Sequence, residues 1–221
     1  MSKKIKLMIV DDHKLFREGL MKLLNDFTTI NVIADAANGQ EALQMLKMCN
    51  PEVIFMDIDM PIMNGKEATI MLKKHHPHIK VIVLSSHNEP YYAYDLMKNG
   101  ADGYLKKDID LEILIDAIET VYEGGLYLDE QTTRALEITT NLRKPIKCIT
   151  DEISLNESEI HLLKLICKGK PNKEISDILG IPLSTFNHRK SVVKEKTNCK
   201  SDIDLVFYAF RHGIVKHFGN S

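Results

Sequence analysis

Short apolar runs alternate along the first half of the chain with stretches whose apolar residues recur every three or four positions. "IKLMIV" (5–10) breaks abruptly at Asp11 and Asp12, and Leu15, Phe16, Leu20, Leu23 and Leu24 follow at helical spacing. "INVIADAA" (30–37) is a second strand, and Asn38-Gly39 turns into a helix carrying Ala42, Leu43 and Leu46. "VIFM" (53–56) reads as a strand buried on both faces, with a third helix from Gly65. "KVIVLSS" (80–86) leads into a helix ending near Lys98, and "GYLKK" (103–107) precedes an amphipathic helix from Asp110, its N-cap, to Tyr122. Five strands alternating with five helices predict an α/β unit with a doubly wound, five-stranded parallel sheet.

The pattern then changes. Residues 126–152 have weak periodicity, with room for one helix near 129–140, between a Gly pair and Pro145, and read as a linker. From Leu155 onward four short helices are expected. Asn156 with Glu159 is an N-cap signature, Gly169 and Gly180 stop the first two helices, and Ser201 with Asp204 opens the last. The three-residue turn around Gly180–Pro182 suits a helix-turn-helix. This gives three segments: residues 1–125, a linker over 126–152, and a smaller all-α domain over 153–217.

Composition adds little except through its distribution. Net charge is −2 over 221 residues, but residues 1–125 carry −5, residues 126–150 carry +1 and residues 151–221 carry +2. Two domains with different partners are expected from this asymmetry, although a basic excess so small does not establish nucleic-acid binding. No apolar run approaches the roughly 18 residues of a membrane span, and the N-terminus is too short for a signal peptide. Cys49, Cys148, Cys167 and Cys199 have no paired spacing and read as incidental thiols of a reducing compartment, so a cytoplasmic location is expected. "HHPH" (75–78) reads as a solvated loop rather than a metal site. Phe207, Tyr208 and Phe210 read as core of the last helix, whereas the tyrosines of "PYYAYDLM" fit a partner face or packing equally well.

The polar residues of the first domain gather at strand ends: Asp11 and Asp12 after the first, Asp57 and Asp59 after the third, Ser85 and Ser86 after the fourth, Lys106 and Lys107 after the fifth. Ligands of such sheets bind outside the carboxyl ends of the strands, where strand order reverses. Converging carboxylates repel one another, and a hard divalent cation such as Mg2+ relieves that repulsion. Beside such a cation an aspartate can accept a phosphoryl group as an acyl phosphate, with a lysine and a serine hydroxyl holding the transferred oxygens.

"VDDH", "MDIDMPIMNG", "VLSSH" and "GADGYLKKD", in this order and spacing, resemble the receiver domain of two-component response regulators over residues 1–125. The resemblance implies a flavodoxin-like receiver in which Asp57 is phosphorylated, Asp12 is a direct Mg2+ ligand and Asp11 an outer one. It implies that Asp59 offers its backbone carbonyl, that Ser85 is the switch hydroxyl, Tyr104 the switch aromatic and Lys107 the phosphoryl-binding lysine. Ser85 stands in place of the commoner Thr, Ser86 replaces a smaller residue, and Asp108 follows the lysine where proline is usual. A haloacid-dehalogenase-type phosphatase would want Thr at Pro61, and so fits less well.

"GKPNKEISDILGI" followed by "STFNHRKSVVKEKTNCKS" is similar to the DNA-binding output domain of NarL/FixJ (LuxR-type) regulators. "NKEI" is the specific part. The helix from Pro182 to Lys196 departs from the family at Pro182, Asn187, Arg189, Lys194 and Thr197, yet keeps a core stripe through Phe186 and Val193. Candidate DNA contacts are Lys170, Asn172, Lys173, Thr185, Asn187, His188, Arg189, Lys190, Ser191 and Lys194. The expected protein is a non-enzymatic transcriptional regulator, phosphorylated by a sensor histidine kinase and binding double-stranded promoter DNA as a homodimer. The alternative is a receiver whose output is protein binding, with no DNA readout.

Overall fold

The computed structural model describes residues 3–86, 90–128 and 155–215, the side chains of residues 90–92, 94 and 211 aside. Six parallel strands form one sheet: β1 (Ile5–Val10), β2 (Ile30–Ala36), β3 (Val53–Asp57), β4 (Lys80–Ser85), β5 (Gly103–Lys106) and β6 (Tyr127–Leu128), in the order β2-β1-β3-β4-β5-β6. The helices of this unit are α1 (Lys14–Asn25), α2 (Gly39–Met45), α3 (Gly65–His75), α4 (Pro90–Lys98) and α5 (Leu111–Tyr122). All five predicted strands are present. The sixth was not foreseen: two residues are too few to show alternation, and Tyr127–Leu128 becomes a strand only because β5 offers it an open edge. The helix expected near 129–140 lies outside the described residues.

The continuous apolar strands divide their side chains between two layers. Met8, Val10, Ile54, Met56, Val81 and Val83 join Ala42, Ala68, Leu72 and Leu96 beneath α2, α3 and α4. Leu7, Ile9, Val53, Phe55, Ile82 and Leu84 join Leu20, Leu24, Leu114 and Ile118 beneath α1 and α5. Burial of both faces of the central strands explains why these strands show no polar alternation. The N-terminal ends of α2 and α3 are capped by Asn38 and Asn64, whose side chains accept from the backbone N–H of Glu41 and Glu67. Asp110 takes the N-cap place of α5 without a side-chain bond to its backbone.

The second unit contains α6 (Glu157–Ile166), α7 (Asn172–Ile178), α8 (Leu183–Thr197) and α9 (Asp202–Arg211). Both predicted capping boxes form, Asn156 with Glu159 and Ser201 with Asp204. Leu163, Ile175, Phe186, Val193 and Leu205 close a core among the four helices. Phe207 is buried in it, with Tyr208 and Phe210 packed alongside. Phe186 is wholly buried, so Phe186→Ala is expected to destabilise this unit by about 3–5 kcal/mol, read as loss of its cooperative thermal transition. An unchanged melt would show that α8 does not depend on this anchor.

The two units touch where Gly124 and Gly125 follow α5. A Cβ on Gly125 would lie 2.9 Å from the Gly169 backbone oxygen, and one on Gly124 would meet the Asn172 side chain at 2.5 Å. Absence of a side chain at these positions permits the close approach.

Candidate functional site

β1 and β3 are neighbours, with β2 beyond one and β4 beyond the other, so strand order reverses between them. A crevice opens there at the carboxyl ends of the strands. Asp11 follows β1 and is almost fully buried, Asp57 ends β3 at 4% exposure, and Asp12 and His13 stand at the rim. One ligand atom from each of Asp11, Asp12, His13 and Asp57 lies within 4.8 Å of all the others. The carboxylate of Asp59 is outside this cluster, on an exposed residue. Oxygen donors dominate the set, as a hard divalent cation prefers, so the α/β unit carries an acidic pocket able to hold a metal ion.

Lys107 reaches into the pocket from just beyond β5, its Nζ 2.6 Å from Asp11 Oδ2 and 2.9 Å from Asp57 Oδ1. The Lys107 ammonium thus contacts both members of the acidic pair. Burial lifts the Asp57 carboxyl above its ordinary pKa; Lys107 opposes this and the neighbouring Asp11 charge reinforces it. Burial acts to depress the Lys107 ammonium, but its hydrogen bonds to Asp11 and Asp57 outweigh that and hold its pKa above the ordinary lysine value. Asp57 Oδ1 also accepts the Ile58 N–H at 2.8 Å.

Ser85 is fully buried at the end of β4, paired in register with Lys106 of β5, and its carbonyl accepts the Lys107 N–H at 2.9 Å. Tyr104, 2% exposed, points into the core beside Val83, its partner in β4. Two residues of this neighbourhood were given no role in the sequence reading. His13 Nδ1 lies 2.9 Å from Asp12 Oδ1, and its position directly after an acidic pair was the available signal. Arg17, buried on α1, donates to the Asp11 backbone oxygen and, through Nε at 2.9 Å, to Asp35. A basic residue on the apolar face that continues to Leu20 and Leu24 could have been noticed. The loop between β3 and α3 contains Ile62 at φ 70°, a left-handed conformation that costs a β-branched residue energy.

In the second unit α8 presents Asn187, His188, Arg189 and Ser191 to solvent, with Thr185 half-buried. Lys190 and Lys194 turn instead toward the N-terminus of α9. Lys190 Nζ is 2.8 Å from Asp202 Oδ2 and 3.1 Å from Asn172 Oδ1, and Lys194 Nζ is 2.6 Å from Asp202 Oδ1. Lys170 is paired with Glu174, and Lys173 is exposed on α7. Burial pushes the Cys167 thiol up to about 12, and among the described residues Cys49, Cys167 and Cys199 form no disulfide. Cys148 lies outside the described residues, as do the α4 tyrosine side chains. Among the described residues the histidines of "HHPH" join no metal cluster.

Residues 7–119 match the response regulator receiver domain, and residues 153–209 match the bacterial regulatory proteins of the luxR family. The chain belongs to the response regulators. It is 34% identical to the transcriptional regulatory protein DegU of Brevibacillus brevis, over 96% of each chain. To the oxygen regulatory protein NreC of Staphylococcus carnosus it is also 34% identical, over 96% of this chain and 99% of that one. The Salmonella typhimurium response regulator RcsB superposes with a TM-score of 0.58 at 22% identity, covering 93% of this chain and 98% of the other. This response regulator thus joins a receiver to a LuxR-type helix-turn-helix, the architecture of a DNA-binding transcription regulator. Among the described residues no helix is long and apolar enough to cross a membrane.

Proposed function

We propose that a sensor histidine kinase transfers a phosphoryl group to Asp57 and that this controls DNA binding by α8. The observation that carries the reading is the convergence of Asp11, Asp12, Asp57 and Lys107 at the strand-order reversal. Asp12 and Asp57 would hold Mg2+, Asp11 would orient it and Asp59 would add its backbone carbonyl; bound there, the ion neutralises charge on the phosphoryl oxygens. An Asp57 carboxylate oxygen attacks phosphorus, and the donor imidazole leaves with the bond electrons. Lys107 exchanges part of its contact with Asp57 for a phosphoryl oxygen, and the Ser85 hydroxyl donates to another. The apolar groove between α1 and α5, about 470 Å3, runs from the highly exposed Leu15 to Lys107 and suits a helix of the phosphodonor.

Tyr104 couples β5 to the face beside α4, a two-state surface through which phosphorylation would promote homodimerisation on paired half-sites. Asn187, His188, Arg189 and Ser191 would meet base edges, with Thr185, Lys170, Asn172 and Lys173 near phosphates. Lys190 and Lys194 would have to leave Asp202 to join them. The segments would be a receiver over 1–125, a linker over 126–152 and the output domain over 153–217, acting in the cytoplasm.

The test is binding of the purified chain to its own upstream region and genomic fragments, with and without beryllofluoride and Mg2+. Tighter binding only in the activated sample is expected, weakening linearly in log–log form with salt. Equal binding in both samples would remove the phosphorylation gate. Absence of binding across the genomic fragments would replace DNA reading by protein binding.

A further inference from the structure

Between the two units lies a cavity of about 570 Å3 whose walls carry an excess of positive charge. The receiver contributes Lys73 and Lys80, which share Asp102: Lys73 Nζ lies 2.5 Å from one carboxylate oxygen and Lys80 Nζ 3.1 Å from the other. The output domain contributes the mirror arrangement, Lys190 and Lys194 sharing the two oxygens of Asp202 at 2.8 and 2.6 Å, with the exposed Lys200 nearby. Five lysines thus line one cavity with two aspartates, and each oxygen of the two carboxylates already pairs with a lysine. Lys73 and Lys190 are 15% and 12% exposed, so water screens them poorly.

Burial works against the charged form of two of these lysines even with their aspartates in place. Burial, aided by Lys80, keeps Lys73 below its ordinary pKa despite Asp102. Burial also holds Lys190 below the ordinary value despite Asp202; Lys194 and, from the opposite domain, Lys80 act in the same direction. The N-terminal end of α9 opens into the same cavity through Ser201 and Ile203, adding the positive pole of a ten-residue helix.

We propose that this cavity binds a multivalent phosphate chain, a di- or triphosphate, that bridges the receiver and the output domain. A single monovalent anion leaves most of the excess unmatched, whereas linked phosphoryl groups reach both lysine pairs at once. The volume is within the usual range for small-molecule sites. A ligand held there ties Lys190 and Lys194 of α8 into the domain interface, so it opposes their use on DNA.

The test uses the full chain in EDTA, so that the acidic receiver pocket carries no metal to attract phosphate. Inorganic pyrophosphate and a nucleoside triphosphate are titrated calorimetrically at constant ionic strength. Saturable binding of one ligand per chain is expected, about tenfold weaker for Lys80→Gln and unchanged for Lys164→Gln, which alters an exposed lysine of α6. Lys80 is on the receiver, far in sequence from the DNA-reading helices, so its effect reports the cavity between the domains. Tighter binding of the nucleotide than of pyrophosphate assigns the site to nucleotides, and equal affinity assigns it to the phosphate chain alone. Heat no greater than that of matched chloride overturns the proposal, as does binding that falls with Lys164→Gln and not with Lys80→Gln.

Discussion

A chain carrying Asp57→Asn is expected to take up no phosphoryl label from a phosphohistidine donor or acetyl phosphate in Mg2+, a loss of at least roughly a thousandfold in rate. The amide retains the shape of the carboxylate and can still accept the Ile58 N–H, but it cannot attack phosphorus. The same variant should melt at a higher temperature than the parent at neutral pH. Burial raises the Asp57 pKa, so the folded chain binds that proton more tightly than the unfolded chain. The contribution of this group to stability is therefore greatest below its ordinary value of 3.8 and declines as pH rises through the raised folded value. Asparagine carries no such dependence. The thermal advantage of Asp57→Asn should vanish in acid and reach a plateau toward neutrality, with Lys107 still held by Asp11. Persistent label on the variant would reject Asp57 as the acceptor. A lower melting temperature at neutral pH would show that the Lys107 pairing outweighs burial.

Gly65→Ala should be among the most damaging single-methyl changes in the receiver. Its N–H donates to the Ile58 oxygen at 2.9 Å, which presses the start of α3 against the end of β3. A Cβ at this position would lie 1.9 Å from the Asp57 backbone oxygen, 2.9 Å from its carbonyl carbon and 3.1 Å from the Ile58 Cα. All three atoms are backbone, so no rotamer change relieves the clash; strand, loop or helix must move. Destabilisation of about 2–4 kcal/mol is expected, a fall in melting temperature on the order of 10 °C. Phosphorylation should suffer even in molecules that fold, because the atoms displaced belong to Asp57, the proposed acceptor. A melt within a degree or two of the parent would mean that α3 can shift without cost. The φ of Gly65 is not in the left-handed region, so the requirement is for space and not for backbone freedom.

Different residues record different amounts of this in the chain. Strand ends were legible because a strand buried on both faces must be apolar until it reaches solvent, which made the pairs Asp11/Asp12, Asp57/Asp59, Ser85/Ser86 and Lys106/Lys107 stand out where "IKLMIV", "VIFM", "KVIVLSS" and "GYLKK" stop. Asn156 with Glu159 and Ser201 with Asp204 were legible because capping acts over three residues and needs nothing distant. By contrast, β6 exists only through the open edge of β5, and Arg17 is anchored by Asp35, which lies on the neighbouring strand.

The choice of Lys107 over its neighbour rested on resemblance; that its ammonium lies between Asp11 and Asp57 depends on how the end of β5 packs in the whole sheet, which no local stretch records. Lys190 and Lys194 show the same division. Their charge on α8 is plain in the sequence, but Asp202 lies beyond the end of that helix and the cavity they line is closed by Lys73, Lys80 and Asp102 of the other domain. Local periodicity, capping and strand-end polarity follow from a few consecutive residues and the burial of one face or two. Ion pairing, close backbone approach and the cavity between domains depend on which distant segments meet, and packing sets that.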